Sequence, residues 1–457
     1  MTSSRPRTVV VGGGIGGLAA AHLLARREDG AVLLLESGSR VGGKLRTEEV
    51  AGVPVDVGAE AMLNRRPEGV DLARELGLDI VHPTSAESQI WTRGALRPLP
   101  RTLMGIPLDV DELAASGVLS AEGLDAVRRE PGLPPTVVDG DISVGDLVAA
   151  RFGDEVVDRL VEPLLGGVYS GLARELSTRA AVPMLLPLVA RGSLLEQGAA
   201  IPRTYDAPVF ACVPGGMGRL AAALGETGTF EIRVDSAVSA LRPGRDGGFV
   251  VVAGAEEIAA DRVVLAVPPG PAATLLSAVA PAAAVELAEV ECASTAVVTF
   301  AFRAADVPDL PGSGFLVPPL EGRAVKASTF SFAKWEWVRE AGRGAGPAGE
   351  DLLFLRTSLG RHREVGTFDL ADDDLVAVSR SDLADAVGLS AEPVAVHVQR
   401  WADGLPQYAV GHVDRVARIR AAVSQVPGLA VCGATFDGVG IPAVIASAAA
   451  AVGSLSD

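Results

Sequence analysis

The chain has 457 residues, 40 basic against 57 acidic side chains, a formal net charge of −17, and 48% apolar residues. That length suggests about three structural units at ~150 residues each, with too much apolar surface for a disordered chain and too acidic a balance for broad attachment to nucleic acid. Three cysteines, Cys212, Cys292 and Cys432, sit far apart without CxxC, HExxH or HxxxH spacing, which excludes a disulfide scaffold and leaves no metal ligand to assign.

Residues Met1 to Arg7 lack the apolar stretch of a secretion signal. Thr8–Val11 is a β-branched run, Ile15–Arg27 carries apolar residues at helical spacing, and Ala31–Leu35 is a second strand ending at Glu36. The turn between the first strand and the helix reads Gly12-x-Gly14-x-x-Gly17. Gly12 permits a tight turn, Gly14 admits a pyrophosphate to the backbone, and Gly17 lets helix and strand pack closely. The N–H groups of Ile15, Gly16 and Gly17 open the helix and face the phosphates. Glu36 stands where a carboxylate accepts ribose hydroxyls, and it disfavours the extra phosphate of NADP. The unit predicts dinucleotide binding.

A second glycine loop follows at once, Ser37-Gly38-Ser39-Arg40-Val41-Gly42-Gly43-Lys44. It resembles the RxGG segment of the amine-oxidase flavoprotein superfamily. The resemblance implies FAD, held non-covalently, with Arg40, Gly43 and Lys44 at its pyrophosphate and ribityl chain and Ser37 beside Glu36. Val55-Asp56-Val57-Gly58-Ala59-Glu60 resembles the superfamily's strand-then-glycine approach to the isoalloxazine, which implies Gly58, Ala59 and Glu60 as cofactor contacts.

Beyond a turn-rich segment, Leu103–Ile106, Asp111–Leu113, Val144–Ala150 and Glu155–Leu165 read as helical, with Ser143 as an N-cap and a Pro/Gly/acidic loop at Glu130–Asp141. Val209–Val213, Ile232–Val238, Phe249–Val252 and Val263–Val267 are strand-like, and a helix starts near Arg219. This block resembles the superfamily's return to the FAD domain, which implies Val238 at the adenine; strands that merely pack there are the alternative. The uncharged run Val263–Val285 is broken by four prolines and cannot span a membrane as one helix. Strands at Ala296–Phe302, Leu352–Leu355 and Val394–Gln399 and helices at Asp373–Val387 and Val413–Val423 predict an antiparallel substrate sheet. At the end come a short strand Gly428–Cys432, the Gly438-Val439-Gly440 turn and a helix over Pro442–Val452. The resemblance implies Val439, Gly440 and Ile441 at the flavin N1–C2=O edge, and Cys432 reads as a core residue.

The expected class is therefore α/β (α+β overall), monoamine-oxidase-like. A discontinuous Rossmann-like FAD-binding domain (residues 1–80, 208–271 and 426–457) accompanies a substrate domain with an antiparallel sheet (81–99, 176–207 and 272–425). A helical insertion (100–175) is a candidate for peripheral membrane contact.

Three further motifs narrow the resemblance: Glu162-Pro163-Leu164-Leu165-Gly166-Gly167-Val168-Tyr169-Ser170-Gly171, the run Arg400-Trp401-Ala402-Asp403-Gly404-Leu405-Pro406-Gln407-Tyr408-Ala409-Val410-Gly411-His412, and Gly438-Val439-Gly440-Ile441-Pro442. Together they are similar to the oxygen-dependent porphyrinogen oxidases, across nearly the whole chain. The family's reaction is a six-electron aromatisation of a porphyrinogen, with O₂ reoxidising the flavin and no acid–base dyad required. The resemblance implies Arg93 as a propionate-binding residue, with Arg97 a lesser candidate, Gly167 beside the tetrapyrrole and Trp401 beside the flavin. A solvated hairpin charge is the alternative for Arg93, and core packing for Trp401. The form of the second motif is similar to the Gram-positive-type enzymes acting on coproporphyrinogen III; protoporphyrinogen IX is the other substrate. An amine oxidase or carotenoid desaturase on the same scaffold, or a porphyrin-binding flavoprotein serving a ferrochelatase, are the remaining readings. The expected location is cytoplasmic, and the oligomeric state is not legible.

Overall fold

The β-branched run Arg7–Val11 becomes the middle strand of a five-stranded parallel sheet, ordered Glu231–Arg233, Ala31–Leu35, Arg7–Val11, Arg262–Leu265, Leu429–Val431. This is a computed structural model, and it describes residues 7–27, 30–198, 200–201, 207–245, 247–364 and 366–455; residues 1–6 of the expected leaderless start lie outside them. Parallel strands covered on both faces need apolar side chains in both directions. Val10 accordingly points into one apolar cluster with the helices Ile15–Arg26 and Ile441–Ser454. Val9 and Val11 point into another with the helices Pro269–Leu276, Pro281–Ala288 and His412–Val423. The strands come from three remote stretches of chain, so both glycine turns meet at one end of this sheet.

A seven-stranded sheet runs in the order Ala395–Pro406, Cys292–Arg303, Leu352–Leu359, Val325–Thr329, Gly314–Leu316, Ser88–Thr92, Ala95–Pro98. It is antiparallel except where Gly314–Leu316 pairs with Ser88–Thr92 in parallel. The last strand in sequence runs beyond the expected Gln399 through Arg400–Pro406, so the tryptophan motif lies on an edge strand. The register between Val325–Thr329 and Leu352–Leu359 slips between Val325 and Ala327, leaving Lys326 as the extra residue of a bulge.

The helical insertion has its own apolar core, built by Leu113, Val127, Leu147, Phe152 and Leu165. Leu176, Val182, Leu185, Val189 and Leu194 pack in the same core, which also takes in Ile90 of the seven-stranded sheet. Two local expectations are corrected. Leu103–Ile106 is not helical but turns between short strands Thr102–Leu103 and Ile106–Pro107, because Met104 (φ 52°) and Gly105 (φ 90°) both take left-handed conformations. The expected helix over Glu155–Leu165 opens into a π turn at Val157–Val161 before the helix Glu162–Tyr169, since Pro163 has no N–H to return to the preceding turn. Ser143 does cap its helix, accepting from the Asp146 N–H at 2.9 Å. Among the described residues no helix is long and apolar enough to cross a membrane.

Candidate flavin and substrate site

Two helix N-termini meet without side-chain caps. Gly14 precedes Ile15–Arg26 and Gly440 precedes Ile441–Ser454, and neither offers a side chain to the first-turn N–H groups. Gly16 brings them together: a Cβ there would lie 3.1 Å from Val444 and 3.6 Å from the Cα of Gly433. Gly12 and Gly17 are needed for packing, since a Cβ on Gly17 would fall 1.8 Å from the Gly12 carbonyl and one on Gly12 2.5 Å from that of Ala266. Gly14, Gly433 and Gly440 differ: a Cβ on any of them would meet nothing within 4 Å. Bare backbone therefore faces open space where two uncapped helix ends converge, a donor set suited to a pyrophosphate and to an electron-rich ring edge. Val439 lies at the border of the helical core, and Ile441 is buried in the cluster beneath the sheet.

The RxGG loop closes over this face. Gly42 bridges to Gly14, and its N–H donates to the Gly13 carbonyl at 2.7 Å. Arg40 folds back onto the carbonyls of Val41 (3.1 Å) and Gly43 (3.0 Å), tying the loop instead of reaching outward. Glu36 accepts from the Gly13 N–H at 2.6 Å through one oxygen and from Gly38 at 2.7 Å through the other, with the exposed Ser37 hydroxyl 3.2 Å away. The oxygen that meets Gly13 keeps a lone pair for a hydroxyl, whereas the other already accepts from both Gly38 and Ser37. The chain of Asp235–Ser236 is bonded to Gly38 and Glu36 through their carbonyls, which brings Val238 close; its half-buried side chain packs in the second core cluster.

Gly58 marks a second close approach. A Cβ there would sit 2.1 Å from the Lys44 carbonyl and 3.1 Å from the Trp401 ring. Trp401 Nε1 donates to the Val57 carbonyl at 3.3 Å, and the Ala59 N–H donates to Lys44 at 3.0 Å. The Lys44 side chain is buried enough that desolvation lowers its pKa. Asp56 is pushed up to about 6 by burial, against bonds from the Met217 N–H and the Thr47 hydroxyl, and so pins the Pro214–Met217 loop. Glu60, expected to face the cofactor, spends its carboxylate elsewhere: Lys334 Nζ lies at 2.5 Å and Arg356 Nη2 at 3.1 Å. Those cations hold Glu60 down at about 2 against its own desolvation. Arg356 also donates to the Gly58 carbonyl at 2.7 Å.

The second motif stitches these parts together. Gln407 donates to the Tyr169 carbonyl at 2.9 Å, the Tyr408 hydroxyl donates to Ala434, and the His412 ring nitrogen bonds the Thr435 carbonyl at 2.9 Å. Tyr408 and His412 thus fix the loop that leads into Gly438–Gly440, a role the sequence did not reveal.

Of the expected substrate residues, Arg93 and Arg97 lie toward the sheet edge away from Trp401. Gly167 is exposed on its helix, with Leu316 3.5 Å from where its Cβ would be. Arg93 occupies a hairpin tip (φ 55°), 3.6 Å from Glu155, and Arg97 bonds the carbonyls of Thr92 and Arg93. Both belong to the hairpin at the sheet edge opposite Trp401, six strand spacings or roughly 29 Å away across a flat sheet. A cation to which the porphyrinogen-oxidase resemblance assigns no role, and which with Lys334 is the lysine an amine-oxidase reading would call on, stands nearer. Lys326, 5% exposed, donates to the Ser170 hydroxyl, the Thr295 hydroxyl (3.0 Å) and the Gly360 carbonyl (2.6 Å), and among the described residues it forms no ion pair, Glu364 acting on it only from a distance. Burial depresses its pKa to about 7. Thr295 is the strand partner of Trp401. The sequence signal for Lys326 was its rarity, as one of three lysines.

Residues 15–455 match the model of a family described as flavin containing amine oxidoreductase. The chain is 38% identical to a coproporphyrinogen III oxidase of Mycobacterium bovis over 98% of this chain and 96% of that one. It is 30% identical to a coproporphyrinogen III oxidase of Bacillus subtilis over 99% and 98%. A crystal structure from Exiguobacterium sp. 255-15, provisionally called a protoporphyrinogen oxidase, superposes over 100% of both chains with a TM-score of 0.88 at 32% identity.

Proposed function

We propose, from the premise that this chain belongs to the flavin containing amine oxidoreductase family, that it binds FAD non-covalently and oxidises coproporphyrinogen III to coproporphyrin III in haem biosynthesis. The balance is six hydrogens removed from the macrocycle and three O₂ reduced to three H₂O₂. The observation that carries the reading is the convergence of two uncapped helix N-termini on bare glycine backbone at Gly14, Gly433 and Gly440. FAD, when bound, supplies the hydride-accepting chemistry.

The chain's own residues bind and orient. The N–H groups of Ile15, Gly16 and Gly17 take the pyrophosphate, and Glu36 takes ribose hydroxyls while keeping its bonds to Gly13 and Gly38. The N-terminus of Ile441–Ser454 stabilises negative charge at the ring edge, an effect worth ~0.3–2 kcal/mol. Gly58 and Trp401 set the ring's bed. The three thiols stay protonated, with Cys432 pushed up to about 12 by burial, which supports a cofactor free of a thioether link.

The seven-stranded sheet and the helical insertion wall the macrocycle, with Gly167 at its face. Arg93 and Arg97, at the outer edge of that wall, suit carboxylates at the rim of a large substrate, which the four propionates of coproporphyrinogen III provide. The names of the relatives at 38% and 30% identity favour this substrate. The domain division expected from the sequence, with the helices extended past residue 175, and a cytoplasmic enzyme passing its product to a ferrochelatase complete the reading.

The test compares oxygen-dependent fluorescence development from coproporphyrinogen III and protoporphyrinogen IX. Faster development from the first is expected; preference for the second overturns the substrate. Anaerobic mixing should bleach the bound flavin, and an unbleached yellow protein would make the chain a binder instead of a catalyst.

A further inference from the structure

Arg356, Lys334 and Glu60 join three parts of the molecule at one buried point. Arg356 is carried by the sheet strand Leu352–Leu359, Lys334 by the short helix Ser331–Lys334, and Glu60 by the segment that follows the Gly58 approach. Glu60 is 8% exposed and touches both cations, while Arg356 reaches past it to the Gly58 carbonyl at 2.7 Å and the Asp56 carbonyl at 3.4 Å. The planar, forked guanidinium serves the two through different nitrogens, Nη2 to the Glu60 carboxylate and Nη1 to the Gly58 carbonyl. The same stretch receives Trp401 Nε1 at Val57. With the Glu60 carboxylate ionised the triad carries one net positive charge, its two cations partly open to water, and the carboxyl of Asp56, raised to about 6 by burial, lies close enough to act on both Arg356 and Glu60.

We propose that Arg356 is a positioning residue which, with Lys334 and Glu60, clamps the Gly58 segment to the substrate sheet and raises the electron affinity of the flavin laid against it. The inference rests on the flavin reading above. Net positive charge beside a ring that becomes anionic on reduction favours the reduced state, and a rigid Gly58 peptide keeps that charge at a fixed distance.

The experiment is a redox titration of the flavin-loaded protein and four variants, together with FAD dissociation constants of the apo proteins measured by quenching of flavin fluorescence. Arg356→Met and Lys334→Met should each lower the midpoint potential, the former by at least a tenfold change in the reduction equilibrium, ~30 mV for two electrons. Glu60→Gln, which removes the negative member, should raise it. Arg356→Lys should restore the potential but bind FAD more weakly, because a single ammonium nitrogen does not reproduce the two-nitrogen fork that meets Glu60 and Gly58 separately. Unchanged potentials, or shifts of one sign in all three charge-removal variants, would reduce the triad to a structural tie and overturn the proposal. Where Arg356→Met retains no flavin, the opposite signs expected of Lys334→Met and Glu60→Gln decide it. A parent protein that takes up no flavin defeats the functional reading instead, so the two failures are distinct.

Discussion

The rings of Tyr408 and His412 stack with 4.3 Å between centroids and 14° between planes. From that stack the tyrosine hydroxyl and a histidine nitrogen hold adjacent carbonyls, Ala434 and Thr435, just ahead of the Gly438–Gly440 turn. The imidazole is buried and its pKa is lowered to about 4 by desolvation. Between about 4 and the unfolded value near 6.5, the unfolded chain binds the extra proton. The stability contributed by His412 is therefore complete above pH 6.5 and is lost as pH falls through that window. Asp56, raised to about 6, acts with the opposite sign, because the folded state holds its proton longer than the unfolded one. The difference between parent and His412→Gln isolates the histidine. Thermal denaturation should show the parent's advantage, ~1 kcal/mol for the bond to Thr435, shrinking from pH 7 to pH 4.5; an advantage independent of pH would contradict the buried neutral ring.

Glu36 offers a check on the adenosine end. Its carboxylate bonds the Gly13 and Gly38 N–H groups, so Glu36→Ala removes both a ribose acceptor and a brace of the phosphate turn. Each lost bond to an ionised acceptor is worth ~1.5–3 kcal/mol. Flavin content after gel filtration should fall by tenfold or more. A fully flavinated variant would remove Glu36 from the ribose site.

The glycine cradle was legible because its information is local: a spacing of glycines within thirty residues states where backbone must be bare. The parallel sheet was legible in part, since Val9, Val10 and Val11 announce a strand covered on both faces. What failed was whatever depends on strand order and on residues distant in sequence. The Arg93 hairpin was located, but only the sheet order reveals that it occupies the edge opposite Trp401. Arg356 meets the Gly58 carbonyl across 298 residues, and no pattern near either one signals the contact. The bulge at Lys326 breaks the two-residue period that sequence reading relies on. The left-handed Met104 misled for a related reason, because a methionine gives no hint of positive φ.

Lys326 predicts a pH response of the same sign as that of His412, displaced to a more alkaline window. Its folded pKa of about 7 lies below the unfolded value near 10.4, so the unfolded chain binds the extra proton between them. Stability contributed at this position rises with pH from about 7 to about 10. Relative to Lys326→Met, the parent should gain in melting temperature across that range. A constant difference would mean that the ammonium is not desolvated by its pocket of three neutral oxygens.

Arg93 tests the outer wall. Its guanidinium is more than a third exposed and its pairing with Glu155 at 3.6 Å is loose, so Arg93→Ala should cost little stability, under ~1 kcal/mol. If it meets a rim carboxylate, KM for coproporphyrinogen rises several-fold with kcat unchanged, the mark of binding that is equal in ground and transition states. An unchanged KM assigns the residue to its hairpin alone.

Gly14 and Gly17 lie three residues apart and should fail in different ways. Gly14 has φ −69° and ψ 176°, a conformation open to any residue, and a Cβ there would meet nothing within 4 Å. The space is free in the protein itself, so Gly14→Ala should leave the apo protein's melting temperature unaltered. The added methyl would stand where the dinucleotide approaches the helix end, and FAD affinity should drop by tenfold or more. Gly17→Ala places its methyl 1.8 Å from the Gly12 carbonyl and must push helix from strand. Overpacking of this kind costs ~1–3 kcal/mol, so the apo protein should melt earlier before any cofactor is added. Calorimetry of the two apo variants, followed by flavin titration, separates a methyl that blocks a ligand from one that strains the fold. Undiminished FAD affinity in Gly14→Ala would mean that the open space at the helix end is not where the pyrophosphate lies.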